Sequence, residues 1–314
     1  MNDTALPPLV AVVGPTASGK SALAVELAER LGGEVINTDS MQVYRGFDIG
    51  TAKPSQAERR RVPHHLIDVA DPTEDYSAGR YVTDARAAIT GVVERGRVPI
   101  LCGGAGLYFR ALMFGMAEIP QVPATVRDEV EAWLKKKGLA SGHAELTRVD
   151  PITAAKVHPN DPARIARGLE VYRTAGVPLS DYRRAQPFAE TAPGTLSVGT
   201  LFPRPELYRR IDQRVRGMIA GGWIEEVEGL LGAGYGPMLK PMRAIGYREI
   251  AAGLHGGVFQ GGIFHSGRLQ QTERKALAKA IATHTRRYAK RQMTWFRKHP
   301  GIFWSAPGGF DIIL

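Results

Sequence analysis

The residues Gly14-Pro15-Thr16-Ala17-Ser18-Gly19-Lys20-Ser21 fit the pattern G-x-x-x-x-G-K-[ST]. Small residues let backbone N–H groups turn inward onto phosphate oxygens, and a following helix N-terminus adds positive potential. Lys20 can neutralise the anion, and Ser21 offers a hydroxyl ligand to Mg²⁺. This is a P-loop, and its default ligand is a nucleotide such as ATP or GTP. Asp39 is the second chemical candidate, a carboxylate available as a general base, although Asp39-Ser40 could instead cap a turn. His64-His65 with Asp68 has metal-ligand residue types, but adjacent histidines point to opposite sides of an extended chain, so structural hydrogen bonding is expected.

These groups need elements to position them. Leu9 to Val13 is a β-branched run that ends at glycine, and the next segment spaces Leu23, Leu27 and Leu31 as one helix face. Gly32-Gly33 stops that helix, and Glu34 to Asn37 reads as a second strand. A right-handed crossover is expected to bring Asp39 to the carboxyl end of the strand beside that of the P-loop. Ser77 can cap a helix that buries Tyr81, Ala85, Ile89 and Val92 and leads to the strand Val98 to Cys102. That strand runs into Gly103-Gly104 without the acidic residue that most P-loop nucleotidases place there. The loop therefore suits a diphosphate leaving group. The polar stretch from Gln42 to Lys53 is too long for a simple connection and reads as a functional loop.

From Ile119 to Pro193 prolines repeatedly break helical segments, and no strand is evident. Thr195 to Phe202 reads as a returning core strand, with helices from there almost to the end and no role assigned to Pro300 to Leu314. The expected fold class is α/β, a P-loop NTPase-like parallel sheet flanked by helices, with core residues 1–118 and 195–314 and an inserted all-helical module at 119–194. A helix from Arg268 to Lys298 would be ~45 Å long. It sets Lys275, Lys279, Arg286, Lys290 and Arg297 on a basic face against a packing face of Leu277, Ile281, His284, Tyr288 and Trp295.

Lys and Arg number 41 against 31 Asp and Glu, which points to a polyanionic partner, and the basic stripe of the C-terminal helix with Arg164, Arg167, Arg183, Arg184, Arg204, Arg209, Arg210 and Arg214 favours RNA over a membrane or an acidic protein. Cys102 is the single cysteine, so internal disulfides, cysteine-rich zinc sites and Cys-x-x-Cys centres are excluded. No signal-peptide pattern appears, and no run approaches the ~20 apolar residues of a membrane span. A cytoplasmic, soluble protein is expected.

GPTASGKS, INTDSMQVYRGFDIGTAKP, PHHLIDV, GGAGLYFRAL, HPNDPARIARGLEVY and KRQMTWFR together resemble the bacterial tRNA dimethylallyltransferase (tRNA isopentenyltransferase) family over nearly the whole chain. The resemblance implies transfer of a dimethylallyl group from dimethylallyl diphosphate to N6 of the adenosine 3′ to the tRNA anticodon. It assigns the diphosphate to residues 14–21, with Lys20 and a Ser21-bound Mg²⁺ at the leaving group, Asp39 as the base and Arg214 assisting. Target-nucleoside and tRNA contacts carry over to Asp39, Ser40, Met41 and Gln42, to Ala105 and Arg127, to Ala163, Arg164, Ile165, Ala166 and Arg167, and to Lys240, Pro241, Met242, Arg243, Ala244 and Ile245. Ala105 stands where the family's GGTGLY has threonine, so a hydroxyl is missing. The implied partners are a tRNA anticodon stem-loop and the prenyl diphosphate, with the protein a monomer. Two rivals share the P-loop, a small-molecule or nucleoside kinase and a non-catalytic tRNA-binding protein that uses a nucleotide as a switch.

Overall fold

The computed structural model describes residues 6–185, 194–255, 258–259, 262–263, 269–299 and 301–306. The elements run β1 (Leu9–Val13), α1 (Lys20–Leu31), β2 (Gly33–Asn37), α2 (Gln56–Arg61), β3 (His64–His65), α3 (Ala78–Glu94), β4 (Val98–Gly103) and α4 (Gly106–Phe114). The helices α5 (Ala124–Val149), α6 (Pro151–Ala154), α7 (Pro162–Ala175) and α8 (Leu179–Ala185) follow. The chain then forms β5 (Thr195–Thr200), α9 (Arg204–Ala220), α10 (Trp223–Gly232), a 3₁₀ turn at Pro241–Arg243, α11 (Tyr247–Leu254), a hairpin of β6 (Val258–Phe259) and β7 (Gly262–Ile263), α12 (Gln271–Phe296) and β8 (Ile302–Ser305). Two compact units result, one of residues 1–113 and 192–314 and the other of residues 114–191.

The first unit is the α/β, P-loop NTPase-like body. Its parallel sheet has the order β3-β2-β4-β1-β5-β8. Helices cover parallel strands on both faces, so their residues are buried without alternation, as all five of β1 are. Val10, Val12, Ile100 and Val198 of the sheet meet Leu23 and Leu27 of α1 in one core. Leu31 lies outside that face and is exposed, because Gly32 adopts φ 63° and turns the chain away. Ser77 accepts the Arg80 N–H at 3.1 Å and starts α3, whose buried residues are Tyr81, Ala85, Ile89 and Val92.

Three expectations are corrected. Asp39 does not follow the strand beside the P-loop strand, because β4 pairs with β1 on one side and with β2 on the other. The region after β5 is not helical throughout, since it holds the β6-β7 hairpin and ends in β8, a sheet-edge strand within the stretch that had no assigned role. The long C-terminal helix spans Gln271–Phe296, and Arg268 lies outside the described residues.

The second unit is built from α5 to α8. Its core joins Val130, Leu134 and Leu146 of α5 to Ile165 and Leu169 of α7. Gly138, with φ 83°, kinks α5. The buried Asp150 accepts the Thr153 and Ser180 N–H groups, both at 2.9 Å, and ties the starts of α6 and α8 together.

Gly103 ends β4 where a Cβ would overlap the Thr38 carbonyl, so the backbone itself would have to move. Gly103→Ala is expected to destabilise the protein by about 1–3 kcal/mol. Gly217→Ala, on the exposed side of α9 with open space around its Cβ position, is expected to stabilise it by about 0.5–1 kcal/mol. Urea unfolding midpoints of the two variants should therefore move in opposite directions.

Candidate active site

The P-loop leaves β1 at Gly14 and enters α1 through Gly19, whose φ of 86° is a left-handed conformation that favours glycine. Behind it, Ser18 Oγ and Thr200 Oγ1 lie 2.5 Å apart, joining the loop to the end of β5. Outside it, Arg210 Nε donates to the Ala17 carbonyl at 3.0 Å while its guanidinium sits 4.4 Å from the centre of the Phe202 ring. Lys20 Nζ donates to the Pro15 carbonyl at 3.3 Å, folded back over the loop. Burial holds the Lys20 pKa below its ordinary value, and Arg214 adds to the effect against the opposing pull of Cys102 and Asp39. Much of the Arg214 side chain is accessible in the open cleft, yet surrounding protein still disfavours its charge, and Asp39 favours it. Burial pushes the Cys102 thiol up to about 11, so it stays protonated at neutral pH.

Asp39 follows β2 in a tight turn. Asn37 Oδ1 accepts the Asp39 N–H at 3.0 Å, and Asp39 Oδ1 accepts the N–H groups of Met41 at 2.8 Å and Gln42 at 3.4 Å. The turn-capping role expected as an alternative to chemistry is therefore real, but it occupies Oδ1. Oδ2 has no protein hydrogen bond among the described residues. One carboxylate thus caps the turn and presents a second oxygen.

The loop that follows is held by buried charge. Lys53 Nζ donates to the Tyr44 carbonyl at 2.8 Å, to Asp48 at 2.5 Å and to Asp68 at 2.6 Å. Gln42 Nε2 donates to the Thr51 and Ala52 carbonyls, both at 3.1 Å. From α10, the Glu226 carboxylate accepts the N–H groups of Asp48, Ile49 and Gly50 at 3.1, 2.7 and 3.4 Å and the Tyr247 hydroxyl at 2.6 Å. Burial, then Glu226, drives the Tyr247 pKa far above its usual value, so that hydroxyl remains a donor.

These parts enclose a cavity of about 610 Å³ that brings Thr16, Lys20, Ser21, Asp39 and Arg214 together. Ser40, Met41 and Gln42 also line it, as do Arg243, Ala244 and Ile245, and Val25, Val35, Ile211 and Met218 give it apolar walls. Ala17, Gly19 and Arg210 line a smaller recess of about 280 Å³ that shares Lys20, Ser21 and Arg214. Gly14, Pro15 and Ser18 are buried in the turn itself.

Other anticipated positions are placed differently. Ala105 is off the cavity wall, and its N–H donates to the Thr38 carbonyl at 3.1 Å, a bond that needs no side-chain hydroxyl. Lys240 Nζ is spent on Asp75 at 3.0 Å and the Tyr76 carbonyl at 2.7 Å, and Pro241 and Met242 are buried beneath it. In the helical unit, Ala163 and Arg164 are exposed, Arg164 pairs with the helix-capping Asp161, Ala166 is half-buried and Arg167 reaches Glu170 at 3.8 Å. Arg127 is exposed at the start of α5 and donates to the Val122 carbonyl at 3.2 Å. Ile165 is a core residue and offers no surface.

Lys275, Lys279 and Lys290 of α12 and Arg297 just past its end are exposed, but Arg286 leaves the basic face and pairs with Asp212 at 3.1 Å. The histidines hold structural bonds, His64 Nδ1 with the Val62 carbonyl at 2.7 Å and His65 Nε2 with Glu34 at 2.6 Å. Sequence reasoning missed Glu226 and two residues of α12 that line the cavity, Arg291 and Gln292. For Gln292 a signal existed, a glutamine set within the stripe that runs through Ile281, Tyr288 and Trp295.

Comparison with known proteins identifies the family. The family model described as IPP transferase matches residues 42–299, and the one described as Isopentenyl transferase matches residues 7–69. The chain is 51% identical over 307 residues to a tRNA dimethylallyltransferase of Geobacter metallireducens, covering 98% of this chain and 95% of that protein. It is 49% identical over 306 residues to a tRNA dimethylallyltransferase of Geobacter sulfurreducens, covering 97% and 94%. The crystal structure of the full-length tRNA isopentenylpyrophosphate transferase from Bacillus halodurans matches with TM-score 0.65 at 38% identity, covering 95% of this chain and 89% of that one. A eukaryotic dimethylallyltransferase acting on tRNA matches with TM-score 0.77 at 27% identity, covering 97% and 76%. With one family model spanning most of its length and close bacterial relatives along nearly all of it, the chain belongs to the IPP transferase family.

Proposed function

We propose that the protein transfers the dimethylallyl group of dimethylallyl diphosphate to N6 of the adenosine 3′-adjacent to the anticodon of tRNA and releases diphosphate. The observation that carries this reading is the pairing, in one cavity, of a cationic phosphate cradle with a carboxylate whose Oδ2 is unengaged, while β4 ends without an acid. A P-loop kinase could use the same carboxylate beside its acceptor hydroxyl, but most P-loop nucleotidases also hold Mg²⁺ with an acid at the end of a second strand, which β4 lacks. An exocyclic adenine amine is a poor nucleophile and needs its proton removed as the bond to carbon forms.

In the proposed reaction N6 attacks C1 of the allyl group, and the C1–O bond breaks with its electron pair leaving on the diphosphate. The N6 proton passes to Asp39 Oδ2. Lys20 and the loop amides neutralise the departing anion, and Arg214 adds charge from α9. The depressed Lys20 pKa reflects a cation placed against burial before its anion arrives, so an arriving diphosphate strengthens the charged form. The apolar walls suit a five-carbon chain. A base from a single-stranded anticodon loop unstacks at lower cost than one from a duplex.

The cavity also fits Mg²⁺. The ion takes hard oxygen ligands and needs few from protein when phosphate oxygens and waters supply the rest. Ser21 lies in the first turn of α1 at the cavity wall, and no cluster of three His, Cys, Asp or Glu exists among the described residues to hold a metal independently. When bound there, Mg²⁺ would stabilise charge on the leaving diphosphate. The helical module, 119–194, is read as a tRNA-contacting domain, and 1–118 with 195–314 as the catalytic core. No helix among the described residues is long and apolar enough to cross a membrane, and a monomer working on tRNA in the cytoplasm is the simplest reading.

Purified protein with labelled dimethylallyl diphosphate, Mg²⁺ and unmodified tRNA is expected to yield labelled tRNA. Phosphoryl transfer from ATP γ-phosphate instead would overturn the reading. Asp39→Ala is expected to keep tRNA affinity in a filter-binding assay and to lose transfer by about 100-fold or more. Near-normal transfer would remove Asp39 from the mechanism. Lys20→Met should raise the melting temperature of the ligand-free protein, corresponding to about 0.5–2 kcal/mol, and abolish the further rise that diphosphate gives the wild type. The sign follows from the lowered Lys20 pKa. Charging this lysine costs stability at neutral pH, and the cost is relieved as pH rises from its folded pKa towards its ordinary 10.5, so the advantage of the variant should shrink at alkaline pH.

A further inference from the structure

Gln292 is 7% exposed, and both ends of its side-chain amide are committed to backbone groups of the active site. Oε1 accepts the Thr16 N–H of the P-loop at 2.9 Å, and Nε2 donates to the Gly104 carbonyl at 2.9 Å. Gly104 can only be glycine here without disturbance, because a Cβ would overlap the Gln292 amide.

The bonds continue beyond Gly104. Ala105 N donates to the Thr38 carbonyl at 3.1 Å, and Thr38 N donates to the Cys102 carbonyl at 2.7 Å. Thr38 is covalently joined to Asp39. A short relay of hydrogen bonds therefore runs from the phosphate cradle through Gln292 to the backbone that carries the proposed base. Since β4 separates β1 from β2, no strand pairing sets the distance between the P-loop and Asp39 directly.

We propose that Gln292 is a positioning residue that fixes the separation between the diphosphate cradle and the Asp39 carboxylate. The inference rests on the transfer reaction proposed above. Thr16 N–H is held by Gln292 rather than aimed at the anion, so losing the bond frees the first half of the loop to move without removing Lys20 or Ser21. Misplacement of the allyl carbon relative to N6 and Asp39 then lowers the rate of the chemical step and leaves both substrates bound.

Two variants test this. Gln292→Met keeps the volume and loses both polar ends. Its kcat for tRNA prenylation should fall about 10- to 100-fold, while dissociation constants for a non-reactive prenyl diphosphate analogue and for tRNA stay within about threefold of wild type. Gln292→Glu keeps the acceptor for Thr16 and sets a carboxylate oxygen against the Gly104 carbonyl. Protonation restores a donor there, so the ratio of its kcat to that of wild type should rise as pH falls. A role in stability alone would lower both melting temperatures and leave the kcat ratio of the folded protein independent of pH. Unchanged kcat in Gln292→Met, a loss confined to diphosphate affinity, or a flat ratio for Gln292→Glu would each overturn the proposal, and the glutamate variant decides alone if the methionine variant does not fold. Absence of transfer by the wild-type protein would overturn the proposed reaction itself, a separate result.

Discussion

Positive charge is concentrated at the carboxyl end of the sheet before any ligand is present to balance it. Lys20 and Arg214 line one cavity, with Asp39 as the anion that opposes the loss of their charge. Such an arrangement is costly in the empty protein, and it persists only because the surrounding backbone cannot relax away from it. The structure around the site can be understood as the means of preventing that relaxation. Ser18 is tied to β5, Arg210 caps the outside of the loop, and Gln292 holds its inner side.

The opposite wall is held in a different way. Glu226 gathers three consecutive backbone N–H groups and a tyrosine hydroxyl, so its charge is offset by donors rather than by a cation. Lys53, nearly inaccessible, and Arg59 balance Asp48 and Asp68, with Asp68 bridging the two cations. This wall therefore carries internally neutralised charge, and the cradle carries charge that waits for a partner. The contrast separates scaffold from site more clearly than exposure does, since both regions contain buried ions.

Much of this was legible in the residues. The P-loop pattern, the buried stripe of α3 and the uninterrupted apolar strands each follow from local spacing, which the chain cannot adopt in another form without exposing its core. Strand adjacency was not legible. The position of β4 between β1 and β2 depends on crossovers between distant segments, and no local residue encodes it. Arg286 belonged to a regular basic spacing, but Asp212 on the neighbouring helix withdrew it from the surface. The edge strand β8 was missed because its Phe303 is exposed and its four residues lie between Pro300-Gly301 and Pro307-Gly308-Gly309. Ala105 shows the converse, where a backbone N–H performs a link that attention to side chains overlooks.

Thr16 and Gln292 are 276 residues apart in sequence. During synthesis the P-loop emerges early, yet its inner support arrives only with α12, after the helical unit and most of the sheet have left the ribosome. A nascent chain short of α12 would present a cationic loop with one side unheld and a sheet whose β5 edge is still open. The inner support of the phosphate cradle is thus supplied by one of the last elements to be synthesised.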